Sequence, residues 1–221
     1  GILNLFLLPL IIMLPLLMQG ELKQITALLI ANTNLQWLAG LILAAIGAVT
    51  AAMNQVPSTA ISREGRLLFW NLVLPLPPST QLMAKLTFAL SLQCLAAIVW
   101  AAVAYFFLHL SGLPLLAGTA LGLLAAWPLA EIGLMIDLTW PHTQWTDPQK
   151  AMKGNFNSLI GSLVGWLVIA LGGFILWLLY RAVGSFTLLY LAAAVYFAAL
   201  GIVLYRVLAT YSTQRWPRLL S

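Results

Sequence analysis

PSTAISREGRLLFWNLVLPLPPSTQLMAK, residues 57–85, is the longest break between the strongly apolar segments of the chain. It holds three of the ten Lys and Arg residues, namely Arg63, Arg66 and Lys85. The leucines and Trp70 that follow predict a short helix on a membrane surface, with the arginines reaching the headgroups. Prolines then end this helix, because proline lacks a backbone donor and restricts the preceding residue. The alternative is a plain connection that lies on the surface between two spans.

The composition of the whole chain supports a membrane setting for this stretch. Of the 221 residues, 62% are hydrophobic and 7% are charged, and the mean hydropathy is +1.00. About a quarter of the residues of a soluble domain are charged. The apolar runs are continuous rather than alternating, which favours helices over barrel strands. We therefore expect an all-α integral membrane protein, whose net charge of +5 reflects basic span ends rather than a nucleic-acid partner.

Apolar segments of spanning length make the chain a single transmembrane domain, residues 1–221. We predict a bundle of six transmembrane helices, with spans at about 2–18, 35–54, 82–110, 115–136, 156–180 and 186–208. Two larger polar loops, at 55–81 and 137–155, interrupt these spans. The chain starts with apolar residues and without Met or a charged segment, so we expect an N-terminal part to be missing.

The basic residues divide unequally between the two ends of the predicted spans. One side carries only Lys23 and Arg181. The other side carries eight, which are Arg63, Arg66, Lys85, Lys150, Lys153, Arg206, Arg215 and Arg218. Because cytoplasmic loops are enriched in Lys and Arg, we place both polar loops and both termini in the cytoplasm, and the protein in the cell membrane.

Small residues recur at a spacing of four along three of the predicted spans. The three sets are Gly40, Ala44 and Ala48, then Gly118 and Gly122, then Gly161 and Gly165. Faces of this kind let membrane helices approach each other closely. The pattern predicts packing inside the bundle, with a homodimer seam as the alternative.

Few groups that could carry chemistry lie within the predicted spans. Glu131 is the only carboxylate well inside one, which makes it either a pathway residue or a structural hydrogen-bond partner. His109 and His142 fall on opposite sides of the membrane, so a shared metal site is not expected. The sequence contains no G-x-x-x-x-G-K-[ST], H-E-x-x-H or G-x-S-x-G motif. We therefore predict no catalytic, cofactor-binding or metal site in this chain.

The second polar loop contains a helix start at Asp147 and Pro148, because Asp caps helices and Pro fits the first helical position. Lys150 and Lys153 then share a face near the lipid headgroups, where anionic lipid attracts each by about 1 kcal/mol. We interpret this loop as a surface anchor, with a contact to a partner protein as the alternative.

Both loops resemble ABC exporter permeases of the type-two class. The first, ISREGRLLFWNLVLPLPPSTQLMAKL, resembles them in a charged pair, an apolar helix, a Leu-Pro break, a capping hydroxyl and a lysine that opens the next span. The matching residues are Arg63, Glu64, Leu74, Pro75, Ser79 and Lys85. The second loop is similar to a bacterial branch of these permeases at Asp137, Pro141, Trp145, Pro148, Lys150, Lys153 and Asn155. Members of that branch are longer, so the resemblance implies a C-terminal half.

The resemblance implies a permease subunit, which is not itself an enzyme, and a coupling helix in the first loop that docks on a separate ATP-binding subunit. ATP and Mg²⁺ would bind to that subunit, so this chain would hold no cofactor. The implied coupling residues are Ser62, Arg63, Glu64, Gly65, Arg66, Trp70 and Pro75, with Asp147, Lys150 and Lys153 in the second loop. The chain would sit in the lipid bilayer as a homodimer or beside another permease half. The alternatives are a non-transporting scaffold or regulatory subunit and an intramembrane enzyme that acts through Glu131.

Overall fold

The computed structural model describes residues 22–110, 112–145 and 155–219, and every regular element in these ranges is a helix. In chain order the α-helices are α1 (Leu22–Ala31), α2 (Thr33–Ala52), α3 (Leu68–Val73), α4 (Pro78–Leu108), α5 (Gly112–Thr139), α6 (Phe156–Val183) and α7 (Phe186–Arg215). Short 3-10 helices span Pro57–Thr59, Ser62–Leu67 and Trp216–Leu219.

Five of these helices, α2 and α4 to α7, are long and apolar enough to cross a membrane. Their outward surfaces are apolar as well, since Leu167 of α6 is 70% exposed and Phe106 of α4 is 69% exposed. An exposed apolar surface of this extent marks contact with lipid or with another protein. The described residues therefore form an all-helical, multi-pass membrane bundle, as predicted. The first predicted span, 2–18, lies outside the described residues.

The helix bounds differ most from the predicted spans at two places. Helix α4 begins at Pro78 and has no side-chain cap, so the expected cap by Ser79 or Thr80 is wrong. Pro suits the first helical position, because the N–H that it lacks would have no partner there. Helix α7 continues to Arg215, past its predicted end, and Trp216 after it is buried. Residues 209–219, which follow the predicted end of the last span, are therefore part of the bundle.

Helix α5 lies at the centre of the bundle and packs against α2, α4, α6 and α7. Its approach to α2 is close enough that a Cβ on Gly118 would lie 2.3 Å from the carbonyl oxygen of Gly40. Further along, a Cβ on Gly47 would lie 3.0 Å from the Cα of Gly122. Small residues thus hold two backbones together within the chain, and the predicted internal packing is confirmed for this pair of helices.

The two ends of the bundle differ in how they are built. Helices α2, α5 and α7 finish at one end, which we call the connector end, where α4 and α6 begin. A buried apolar cluster fills the bundle there, and its largest members are Ile61, Leu68, Leu82, Leu86, Leu134, Leu138, Leu208 and Trp216. The opposite end holds the starts of α2, α5 and α7, where Tyr190 Oη donates to the carbonyl of Trp37 over 3.1 Å.

Candidate functional site

The connector, residues 53–77, joins α2 to α4 and has two halves of different character. Residues 56–62 are all buried, and we call them the buried half. Residues 67–77, the exposed half, include α3 and are mostly exposed. We expected the arginines of this stretch to reach the headgroups, but Arg63, which directly follows the buried half, is half-buried and bonded within the chain. The first residues of the buried half prolong the course of α2 as a 3-10 turn that packs on α5 and α6.

Glycines on the facing helices make room for the buried half. A Cβ on Gly133 of α5 would lie 3.2 Å from the backbone nitrogen of Ser58. A Cβ on Gly161 of α6 would lie 3.3 Å from the Ser58 side chain. Both contacts would be tighter than most Cβ contacts, so a side chain at either position would have to displace the connector by a few tenths of an ångström.

A buried carboxylate, that of Asp137 near the end of α5, fixes the buried half in place. Its Oδ2 accepts the backbone N–H groups of Ile61 over 2.6 Å and Ser62 over 2.9 Å. Its Oδ1 accepts the Ser62 hydroxyl and, over 2.9 Å, the Nδ2 of Asn157 on α6. All four partners are donors, so both carboxyl oxygens act as hydrogen-bond acceptors. We call Asp137, Ile61, Ser62 and Asn157 the anchor.

Further hydrogen bonds extend the anchor to the segment after α5. The backbone N–H of His142 donates to the Ser62 hydroxyl over 2.9 Å, and Trp145 Nε1 donates to the Ser62 carbonyl over 2.8 Å. Asn157 Nδ2 also donates to the carbonyl of Trp140 over 2.7 Å. The connector, the end of α5 and the start of α6 are therefore joined through one set of polar contacts.

Gly65 follows the anchor, and two independent features of the structure require glycine at this position. Its φ of +50° is in the region that side chains rarely adopt. A Cβ there would also lie 2.6 Å from the Trp145 ring. Glycine therefore lets the connector turn sharply beneath Trp145 before α3 begins.

Two charged residues of the connector, Arg63 and Glu64, are bonded within the chain. Arg63 is half-buried, and its guanidinium donates to the carbonyls of Thr59 over 3.2 Å and Val56 over 3.1 Å. Asp137 and Glu64 both act on it electrostatically. Glu64 forms an ion pair with Lys85 of α4. These side chains therefore close the connector onto the bundle.

Glu64→Lys is expected to lower the free energy of unfolding by about 2 kcal/mol, between the values for exposed and buried ion pairs. The pair is only 16–17% exposed, so two lysines there would repel each other with little screening. The measurement is thermal unfolding in detergent followed by tryptophan fluorescence. The double variant Glu64→Lys/Lys85→Glu restores the pair and should recover most of the loss. A double variant as unstable as the single one would contradict an internal role for the pair.

The exposed half presents aromatic and aliphatic side chains. Phe69 and Trp70 of α3 meet edge to face with ring centroids 5.9 Å apart, and Trp70 is 64% exposed. Leu68 is buried in the apolar cluster of the connector end and so packs α3 against the bundle. Gln81 Nε2 donates to the carbonyl of Asn71 over 2.9 Å, which ties α3 to the start of α4. The result is a short apolar helix held at a defined position on the surface of the connector end.

A cleft of about 480 Å³ separates the connector from α4. Polar and charged side chains line one part of it, namely Arg63, Glu64, Asn71, Gln81 and Lys85. The second oxygen of Glu64, Oε2, is buried and has no hydrogen-bond partner among the described residues. Glu64 therefore lines the cleft with one of its two carboxylate oxygens unpaired within the described part of the chain.

The structure divides the predicted coupling residues into three groups. Ser62 and Gly65 are buried, whereas Arg63 and Glu64 are half-buried and bonded within the chain. Trp70 and Pro75 are exposed. The side chain of Arg66 and the predicted second-loop residues lie outside the described part; those second-loop residues are Asp147, Lys150 and Lys153.

Glu131 lies on α5 away from this site, with its side chain fully buried. Neither carboxyl oxygen has a hydrogen-bond partner among the described residues, although Trp127 approaches it from one helical turn earlier. A pathway role and a structural hydrogen bond both stay predictions for Glu131.

The described ranges contain no group of three His, Cys, Asp or Glu side chains that could hold a metal ion. His142 contributes a backbone N–H to the connector end, and His109 ends α4 at the opposite end in the left-handed conformation. The two histidines thus lie on opposite sides of the bundle, as expected.

Asp137 and Asn157, the two side chains that organise the site, were not predicted as site residues. Asp137 was only a point of resemblance, and Asn157 carried no prediction. The available signal was their position, since both are polar residues placed where an apolar helix ends or begins. Their partners in the connector could not be named from that signal.

Comparison of the chain with protein-family models, with curated proteins and with solved structures gave no match. The resemblance of the two loops to ABC exporter permeases therefore stays a prediction.

Proposed function

We propose that this chain is the membrane-spanning permease subunit of an ABC exporter, driven by a separate ATP-binding subunit that docks on the exposed half of the connector. The observation that carries the proposal is the two-part connector. One part is an exposed apolar helix, α3, and the other is bonded to α5 and α6 through the anchor. This combination suits a contact that has to transmit force.

The physical argument concerns what happens when a partner moves α3. A flexible loop would absorb the displacement, because its backbone dihedral angles would change first. Here Ser62 is bonded to Asp137 and, through it, to Asn157, so movement of the connector acts directly on α5 and α6. A partner that binds two conformations with different affinity can then shift the bundle between them.

The remaining parts of the proposal follow from the resemblance and from the charge pattern. The connector end would face the cytoplasm of the cell, where ATP is available. ATP and Mg²⁺ would be held by the partner, because this chain has no phosphate-binding loop sequence. A homodimer, or a pairing with a second permease half, would complete the transport path.

The test is copurification from native membranes followed by an ATPase assay. Wild-type protein should retain an ATP-binding subunit, and Phe69→Ala/Trp70→Ala should lose it by more than about tenfold, as expected for two aromatic contact residues. A matched control is Tyr105→Ala/Phe106→Ala, an adjacent aromatic pair that is also edge to face and exposed, at the opposite end. This control should retain the subunit.

Two results would contradict the proposal. If wild-type protein carries no ATPase from its native membrane, the scaffold or regulatory function is favoured instead. If both aromatic double variants lose the subunit equally, the contact lies elsewhere than on α3.

A further inference from the structure

A groove of about 300 Å³ opens on the side of the bundle between α2, α5, α6 and α7. Its lining is almost entirely apolar and includes Ala45, Leu176, Trp177, Leu189 and Phe197. It is separate from the connector and from the anchor, and it shares no lining residue with the cleft beside α3.

The groove follows α6 from Ile169 to Tyr180. At a rise of 1.5 Å per residue these positions are about 16 Å apart along the helix axis. The hydrocarbon core of a bilayer is about 30 Å thick, so one leaflet is about 15 Å deep. The groove therefore has the length of one leaflet, and it lies in the half of the bundle away from the connector.

Glycines create the depth of the groove on α6. A Cβ on Gly172 would lie 2.8 Å from the Tyr196 ring, so this position admits no side chain without movement of that ring. A Cβ on Gly173 would meet no atom within 4 Å. Gly173 therefore borders open space, which a larger side chain could fill without a clash at its Cβ.

A positively charged side chain, that of Arg181, lies at the outer end of the groove. Arg181 is exposed, and its guanidinium lies 4.8 Å from the ring centroid of Trp177, which itself lines the groove. No carboxylate pairs with Arg181 among the described residues. Its position one leaflet from the groove's inner end places it at the depth of the lipid headgroups. The groove thus combines an apolar channel with a positive charge at the height of a phosphate.

We propose that this groove binds an anionic phospholipid of the leaflet opposite the connector, with an acyl chain along α6 and the phosphate at Arg181. An apolar slot alone would accept any alkyl chain or a helix of a second copy. The guanidinium at its mouth, which has no carboxylate partner within the described ranges, selects for a negatively charged head. An interfacial Arg is worth about fivefold in affinity for anionic over neutral lipid. This site is independent of the docking of an ATPase on α3.

The first experiment is native mass spectrometry of the protein taken from nanodiscs of phosphatidylglycerol and phosphatidylcholine. Wild-type protein should retain one phosphatidylglycerol. Gly173→Leu should reduce retention about tenfold, equivalent to the loss of two buried methylene groups. Arg181→Gln should lose the preference for phosphatidylglycerol over phosphatidylcholine. Ala170→Leu, an exposed position on α6 that does not line the groove, should retain the lipid as wild type does.

The second experiment uses the unaltered chain, so it holds even if a variant fails to fold. Phosphatidylglycerol with a photoactivatable diazirine in one acyl chain should crosslink within 169–180, on residues that line the groove. Crosslinks spread equally over the outward residues Leu167 and Leu171 would overturn the proposal. So would equal retention of lipid by Gly173→Leu, or a wild-type dimer that Gly173→Leu converts to a monomer, since a second copy would then fill the groove.

Discussion

Asp137→Ala is expected to lower the free energy of unfolding by about 3–5 kcal/mol, because a buried polar network loses its only carboxylate. The backbone N–H groups of Ile61 and Ser62 would lose their acceptor in a buried site, and so would the Ser62 hydroxyl and one bond of Asn157. Asp137→Asn keeps the shape but turns one acceptor into a donor. Asp137→Asn should therefore lower the free energy of unfolding by a measurable amount, but by less than Asp137→Ala does.

Two measurements on purified protein check this expectation. Thermal unfolding in detergent gives the loss of stability. Limited digestion with trypsin reports on the connector, since cleavage after Arg63 needs the half-buried chain to open. The control is Thr139→Val on the same helix, which removes one hydroxyl that bonds Tyr211 and should cost about 1 kcal/mol. An Asp137→Ala protein that resists trypsin as the wild type does would show that apolar packing alone holds the connector.

Gly118→Leu is expected to prevent α2 and α5 from packing together, with a loss of about 3 kcal/mol or more. The Cβ alone would lie 2.3 Å from the carbonyl oxygen of Gly40, and backbone atoms cannot move aside as a flexible side chain can. Gly118→Ala introduces the same clash in its smallest form and should cost about 1–3 kcal/mol.

The matched control for Gly118→Ala is Gly173→Ala, the same substitution in another long helix. Gly173 has no atom within 4 Å of an added Cβ, so this variant should be neutral or slightly more stable through the better helix propensity of Ala. Size-exclusion chromatography and thermal unfolding compare the set. If Gly118→Ala proves as stable as Gly173→Ala, the close approach of α2 to α5 is not required.

The five described spans were predictable because lipid imposes a local rule. A segment that crosses a bilayer has to satisfy its own backbone hydrogen bonds, so length and hydropathy suffice to find it. Close packing of helices through small residues, as seen between α2 and α5, was predictable for a related reason. Small residues at a spacing of four, such as Gly118 and Gly122, create a face that other side chains would block.

The buried half of the connector was not predictable from the same information. Pro57, Ser58 and Thr59 have the composition of a loop, and their burial depends on Gly133 and Asp137, far along the chain. A short stretch of sequence does not show that a glycine far along the chain leaves space for it. Nor does it show that a distant carboxylate accepts its hydrogen bonds. For the same reason Ser62 was predicted as a contact for a partner, although its hydroxyl and backbone are bonded inside the bundle.

The anchor also sets an order of events during biosynthesis. Ser62 and Asp137 are 75 positions apart, so at about 5–20 residues per second the ribosome makes Ser62 roughly 4–15 s before its acceptor exists. In that interval the nascent connector has to stay hydrated outside the bilayer, as its Ser, Thr and Arg content allows. Insertion of α5 then withdraws it from water. A nascent chain arrested before residue 137 would keep this segment open, and quality-control proteases could recognise it as unfinished.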